Sequence, residues 1–166
     1  MMSRRNTLLG IGAVSAAIAG LRSLFTSAPA RAAQPAHTFE VTRTAPEWQK
    51  LLTPEQFQVL RQAGTESPGS SPLNKEKRAG TFTCAGCALP LFSSKTKFES
   101  GTGWPSFWQP LDKAVLEETD TTLFMKRVEV LCRRCGGHLG HVFDDGPKPT
   151  GLRYCMNGVS LNFTSA

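Results

Sequence analysis

Apolar and polar positions alternate in three different ways along this chain. From Leu8 to Leu21 the residues are small or apolar without interruption. Arg4 and Arg5 precede this stretch, and beyond Arg22 the small residues run on through Ala28-Pro29-Ala30-Arg31-Ala32-Ala33. A positive start, a 14-residue apolar centre and an A-x-A site form a secretory signal over 1–32, cut after Ala32, with Ala30 as second choice. Twin arginines before a weakly hydrophobic, Gly/Ala-rich centre resemble a twin-arginine export signal. The protein is therefore expected to be periplasmic or secreted. Fourteen apolar residues fall short of the roughly 20 that a spanning helix needs, so no stable membrane anchor is expected after cleavage.

The second texture is helical. Residues 33–42 are polar and unpatterned, a flexible lead, and one domain is expected over 43–166. Thr44 and Pro46 open a short helix through Leu52. Thr53-Pro54-Glu55-Gln56 is a stronger start, with Thr at the N-cap, Pro at the first helical position and Gln three residues after the cap. Phe57, Val59 and Leu60 give this helix an apolar face, and Gly64 is its expected stop. Residues 65–80 read as a loop. From Thr81 the texture changes again. Runs of β-branched and aromatic residues at 81–84, 89–93, 121–132, 138–143 and 152–163 alternate with Gly/Pro turns, which predicts an antiparallel, mainly β core.

Composition narrows the class. The 166 residues suit one domain, and 40% hydrophobic content excludes a disordered chain. Five cysteines are too few for a disulfide miniprotein, and 15 Gly and 11 Pro without sustained heptads exclude a helical bundle. The formal charge of +6 invites a nucleic-acid or membrane-surface partner. Four of those positive charges, Arg4, Arg5, Arg22 and Arg31, lie in the signal, which has no acid; residues 33–166 carry only +2. A nucleic-acid partner is not expected.

The cysteines separate into two kinds. Cys84 and Cys87 form one C-x-x-C pair, Cys132 and Cys135 another, 44 residues apart. Two such pairs in tight turns build a tetrahedral four-thiolate zinc site, here a staple between distant hairpins. Gly86 would turn the first knuckle, and Gly136-Gly137 follow the second. Two disulfides, a redox-active C-x-x-C and a rubredoxin-like iron site are the competing readings. Cys155 is left over. In Arg153-Tyr-Cys-Met-Asn157 an extended strand puts Arg153, Cys155 and Asn157 on one face. Arg153 would favour the thiolate, which is the nucleophilic form. His138 and His141 are the two imidazoles outside the lead, and with four thiolates filling a metal site they are free for acid–base work.

Together these pieces resemble the methionine sulfoxide reductase B family, over about residues 43–164. The segments that carry the resemblance are Cys84-Ala-Gly-Cys87, Ser100-Gly-Thr-Gly-Trp-Pro-Ser-Phe107, Cys132-Arg-Arg-Cys135, Gly137-His-Leu-Gly-His-Val-Phe143, Asp145-Gly-Pro-Lys-Pro-Thr-Gly151 and Arg153-Tyr-Cys-Met-Asn157. The resemblance implies two antiparallel β-sheets with small helices on the N-terminal side, stapled by one structural zinc. It implies reduction of methionine-R-sulfoxide, with Cys155 as nucleophile and Trp104, His138, His141 and Asn157 lining the site. Trp104 would offer the substrate methyl an apolar wall, Phe143 would add to it, and Arg153 would sit beside the thiol. Two departures stand out. The position of a resolving cysteine in many members is Thr102 here, which implies a one-cysteine enzyme recycled by an external thiol, either a thioredoxin-like protein or a small molecule. After the nucleophile, Gly158, Val159 and Asn162 replace the more usual Ser, Ala and Arg, leaving the rate and the recycling partner open. A monomer acting on oxidised methionine in proteins is expected. The alternatives are a zinc-stabilised β module that binds a ligand without chemistry, and a disulfide oxidoreductase using a C-x-x-C.

Overall fold

The computed structural model describes residues 37–121 and 126–166; the expected signal and residues 33–36 of the lead lie outside the described residues. Of the lead, Phe39 lies against Gly136, and the Val41 N–H donates to the Arg134 carbonyl at 3.0 Å.

Both expected helices form, and their caps explain where they start. Helix α1 (Ala45–Leu51) begins after Thr44, whose N–H donates to Glu47 Oε2 at 2.7 Å. Helix α2 (Pro54–Gln62) has a reciprocal box: Gln56 N–H donates to Thr53 Oγ1 at 3.2 Å, and Thr53 N–H donates to Gln56 Oε1 at 3.1 Å. Such a cap contributes about 1 kcal/mol. The stop differs from expectation. Ala63, not Gly64, is the left-handed residue (φ 52°), and Gly64 N–H closes the turn on the Gln58 carbonyl at 3.0 Å. Trp48, Val59 and Leu60 are buried, which seats the helices on the sheets.

Nine strands are found among the described residues: β1 (Gly80–Cys84), β2 (Pro90–Ser93), β3 (Lys97–Phe98), β4 (Ser106–Phe107), β5 (Val115–Asp120), β6 (Arg127–Cys132), β7 (His138–Phe143), β8 (Arg153–Met156) and β9 (Leu161–Ser165). They make a three-stranded sheet, β2-β1-β9, and a six-stranded sheet, β3-β4-β8-β7-β6-β5, each antiparallel throughout. The mainly β, two-sheet expectation holds. Aromatic rings join the sheets. Phe107 of β4 stacks on Phe92 of β2 at 4.4 Å between centroids and takes Phe82 of β1 edge-on at 4.9 Å. All three rings are fully buried, and such pairs contribute about 0.5–1.5 kcal/mol beyond their buried area.

Two expected runs divide differently. In 121–132 the strand begins only at Arg127, residues 122–125 lie outside the described residues, and its partner β5 was not expected. β5 reads Val-Leu-Glu-Glu-Thr-Asp, acidic enough to hide a strand; Asp120 faces Arg127 across the ladder with an ion pair of 2.6 Å. The run 152–163 breaks into β8, a 3-10 turn (Gly158–Ser160) and β9, and it passes from the large sheet to the small one. Among the described residues no helix is long and apolar enough to cross a membrane.

A second joint lies between the sheets. The C-x-x-C turn after β1 meets the C-x-x-C turn between β6 and β7, and the ligand atoms of Cys84, Cys87, Cys132 and Cys135 lie within 4.8 Å of one another. Cys84 Sγ is 3.8 Å from Cys135 Sγ, and Cys87 Sγ is 3.5 Å from Cys132 Sγ. A tetrahedron with metal–sulfur bonds of about 2.3 Å has edges of about 3.8 Å, so the four thiols fit one metal ion. The two knuckles share one backbone pattern. Ala88 N–H donates to Cys84 O and Gly136 N–H to Cys132 O, both at 2.8 Å; Cys84 N–H donates to Leu89 O at 2.9 Å and Cys132 N–H to Gly137 O at 2.8 Å. The left-handed residue after each is Ala88 (φ 59°) or Gly136 (φ 65°), so Gly86 is not the residue that turns the first knuckle.

Because the ligand set exists only in the folded chain, metal affinity is folding free energy. Cys132→Ser is expected to abolish metal binding and cooperative unfolding together, checked by metal analysis and thermal melting against the parent protein.

Candidate active site

Cys155 sits in the middle of β8, flanked on both sides by paired strands. Its ladder partners are His141 on β7 and Ser106 on β4. Directly opposed residues carry their side chains on the same sheet face, about 5 Å apart at Cβ. The ladder therefore sets the thiol beside the imidazole. A cleft of about 150 Å3 opens over them, bordered by Thr65, Trp104, Arg127, Gly140, His141, Phe143, Cys155 and Asn157. Its volume is well below the roughly 300–1,000 Å3 of drug-sized sites, which suits the end of one side chain.

A bulge determines which histidine faces which way. Residues three apart on a regular strand point to opposite faces. Here Val130 pairs with Gly140 and Leu131 with His138, so Leu139 is an extra residue in β7. The imidazoles of His138 and His141 thereby meet edge to face, 5.4 Å between centroids. Gly140, at the same place, has no room for a side chain: a Cβ there would overlap the Cys155 carbonyl oxygen and reach Met156 Cα at 3.0 Å.

The two histidines are held differently. His141 Nε2 lies 2.9 Å from Asp120 Oδ2, the oxygen that also accepts from Arg127. Burial, opposed by that Asp120 hydrogen bond and reinforced by the charges of Arg127 and His138, holds the His141 imidazole below its ordinary pKa. His138 is 3% exposed and does not border the cleft. Its Nδ1 lies 2.6 Å from Glu129 Oε1, and its buried Nε2 has no hydrogen-bond partner among the described residues.

Around the thiol, Thr102 Oγ1 is 3.8 Å from Cys155 Sγ. Thr102 shares a 2.8 Å hydrogen bond with Ser100 Oγ, which accepts from Ser106 Oγ at 2.7 Å. Trp104 and Phe143 supply the apolar border of the cleft. Arg153 does not border the cleft. Its guanidinium forms a two-pronged pair with Asp145 at 2.7 and 2.8 Å and lies 4.4 Å over the Phe143 ring. Asp145 first, with a contribution from Cys155, raises the Arg153 pKa, and Arg153 in turn lowers that of Asp145. Asn157 borders the cleft, but it follows β8 instead of lying in it. Its Oδ1 accepts from Glu66 N–H at 3.0 Å and its Nδ2 donates to the Leu139 carbonyl at 3.2 Å.

Thr65, Asp120, Arg127, Glu129 and Asp145 belong to this constellation and were not singled out in the sequence. Asp145 alone had a signal, since it opens one of the recognisable segments. The steric demand at residue 140 yields an expected outcome. Gly140→Ala must part β7 from β8 at the Cys155–His141 rung, costing about 1–3 kcal/mol. Urea unfolding measures that loss, and unchanged metal content separates it from damage to the four-cysteine cluster.

Comparison with known proteins agrees with this arrangement. The SelR domain model matches residues 52–165. A protein of Methanosarcina barkeri (strain Fusaro / DSM 804) named peptide methionine sulfoxide reductase MsrB is 61% identical over 125 residues, covering 74% of this chain and 87% of its own. Proteins of the same name from Pseudomonas putida (strain W619) and Leptospira interrogans serogroup Icterohaemorrhagiae serovar Lai (strain 56601) are 56% and 54% identical, each covering 75% of this chain and 94% and 96% of their own. The chain therefore belongs to the SelR-domain family of peptide methionine sulfoxide reductases of the MsrB type.

Proposed function

We propose that the protein reduces methionine-R-sulfoxide in proteins by a one-cysteine mechanism. The observation that carries this reading is the rung that sets Cys155 beside His141 in a cleft walled by Trp104 and Phe143. The Cys155 thiolate attacks the sulfoxide sulfur. Protonated His141, its Nε2 braced on Asp120, gives the S–O oxygen a proton, and the S–S bond formed by the attack and the S–O bond of the substrate break as the hydroxyl passes to the Cys155 sulfur. The products are methionine and a Cys155 sulfenic acid. Two equivalents of an external thiol then return the cysteine to its reduced form, with release of water and a disulfide. Trp104 and Phe143 receive the substrate methyl, while Asn157 shapes the floor. His138, behind His141, packs edge-on against its neighbour and holds that ring in place. Cys84, Cys87, Cys132 and Cys135 would hold a zinc ion, which when bound cross-links the sheets and takes no part in the chemistry. The protein acts as a monomer.

The cysteine count supports an external reductant. Five cysteines are present, four stand in the metal cluster, and the residue against Cys155 Sγ is the threonine Thr102. The N-terminal pattern supports export through a twin-arginine route, with residues 1–32 removed, 33–42 as a lead and 43–166 as the reductase domain. Exported proteins meet oxidants, and sulfoxidation turns a flexible apolar side chain polar.

Three measurements test this function. With dithiothreitol, the mature protein should reduce the R epimer of a blocked methionine sulfoxide, and Cys155→Ser should not; equal activity of the two, or activity on the S epimer alone, refutes the reading. Mass spectrometry after one turnover without reductant should find one added oxygen on Cys155 and no disulfide, whereas Thr102→Cys, within contact of Sγ, should convert that species to an internal disulfide. N-terminal sequencing of the exported protein should begin at Ala33.

A further inference from the structure

The loop between α2 and β1 contributes more to the cleft than its sequence suggests. Glu66 alone makes four hydrogen bonds to two separate pieces of the site. Its N–H donates to Asn157 Oδ1 at 3.0 Å, and its carbonyl accepts from Trp104 Nε1 at 3.2 Å. Its carboxylate accepts from Gly158 N–H through Oε1 at 2.6 Å and from Val159 N–H through Oε2 at 3.0 Å. Those two amides open the 3-10 turn that follows the nucleophile strand, and ionised acceptors make the stronger bonds to backbone N–H groups.

The neighbouring residues tighten the same strap. Gly69 N–H and Asn74 Nδ2 both donate to the Gly103 carbonyl, at 2.7 and 2.8 Å. A side chain on Gly103 (φ 94°) would strike Pro68, and one on Gly158 would strike the Ser71 hydroxyl. The contact with Ser71 gives a physical reason for the departure at residue 158, where only glycine lets the loop close down.

We propose that Glu66 is a positioning residue that sets the width of the cleft, holding the Trp104 wall at a fixed distance from Cys155 through the Asn157–Val159 turn. The proposal rests on the reductase reading for its consequence, though the geometry of the strap is independent of it. Trp104 stands between β3 and β4, and the turn stands after β8. Glu66 ties one to the other, with its main chain on the indole and its side chain on the turn. A glutamine at this position can offer its single oxygen to one of the two amides and turns an N–H toward the other. An aspartate keeps the charge but is one methylene too short to span both.

The test uses full-length mature protein labelled with fluorotryptophan, the Trp104 resonance being identified by its loss in Trp104→Phe. In Glu66→Gln and Glu66→Asp the Trp104 fluorine resonance is expected to shift, and kcat/KM for a methionine-sulfoxide peptide to fall by about 10- to 100-fold, mostly through KM. Metal content and cooperative unfolding should be retained. A parental resonance with parental kcat/KM overturns the proposal, and so does full rescue by Glu66→Asp, because charge alone would then suffice. Loss of metal or of cooperative unfolding also overturns it, since Glu66 would then support the fold at large. A shifted resonance with no reductase activity in parent or variant upholds the strap and refutes the reductase reading.

Discussion

Four sulfur atoms within 4.8 Å of one another form the joint on which the rest of this structure depends. They are remote from the cleft in role, yet both sheets enter the site from them. β7 begins at His138, three residues beyond Cys135, so the second knuckle sets where the histidine ladder starts. Cys84 pairs across β1 with Leu161 of β9, and β9 follows directly from the turn that leaves Cys155. The four-cysteine cluster therefore anchors the strand carrying the imidazoles and the segment emerging from the nucleophile. The Phe82–Phe92–Phe107 stack closes the same two sheets, with Phe107 one residue from the Ser106 partner of Cys155.

Within that frame, reactivity is a matter of register. A one-residue slip of a strand turns each of its side chains to the other face. Cys155 is protected against slippage by strands on both sides, and the Leu139 bulge places the two histidines together at the cost of one extra residue in β7. Gly140 lets the backbones close at that rung. The charged groups then settle in pairs, Asp120 on His141 and Asp145 on Arg153, which leaves the imidazole braced and the guanidinium engaged outside the cleft. Asp145, not the open site, takes the fork of Arg153.

What could be read from the sequence was what side chains do by themselves. The helix starts at Thr44 and Thr53 were legible because a cap is local chemistry. The metal cluster was legible because thiol spacing encodes it, although the surrounding residues of the two knuckles do not match and Ala88 takes the left-handed turn assigned to Gly86. β5 was hidden because its acids find partners on other elements, Asp120 in Arg127 across the ladder and Glu117 in the Tyr154 hydroxyl, which a one-dimensional pattern does not reveal. The break inside 152–163 was hidden because a 3-10 turn keeps its apolar residues in sequence while moving the chain between sheets. Glu66 was invisible for a different reason: its carboxylate accepts from two backbone amides, which carry no residue identity, and only its main chain meets the side chains of Trp104 and Asn157.

The absence of a second free thiol has a kinetic consequence for the proposed cycle. A cleft of about 150 Å3 accommodates one side-chain end at a time. In the proposed cycle a sulfenic acid would form on Cys155, and its sulfur would then be the electrophile that the reducing thiol must reach. With Thr102, Ser100 and Ser106 as hydroxyls beside the sulfur, the near side of the site offers hydrogen bonds and no thiol. The reducing thiol must enter past the same Trp104 and Phe143 wall that received the methyl group. Repaired methionine therefore has to leave first, and the cycle becomes a two-step exchange through one opening, the pattern that covalent intermediates impose on their kinetics. The strap at Glu66 bears on both steps, because the spacing that fits a methyl sulfoxide also limits which thiol can follow it.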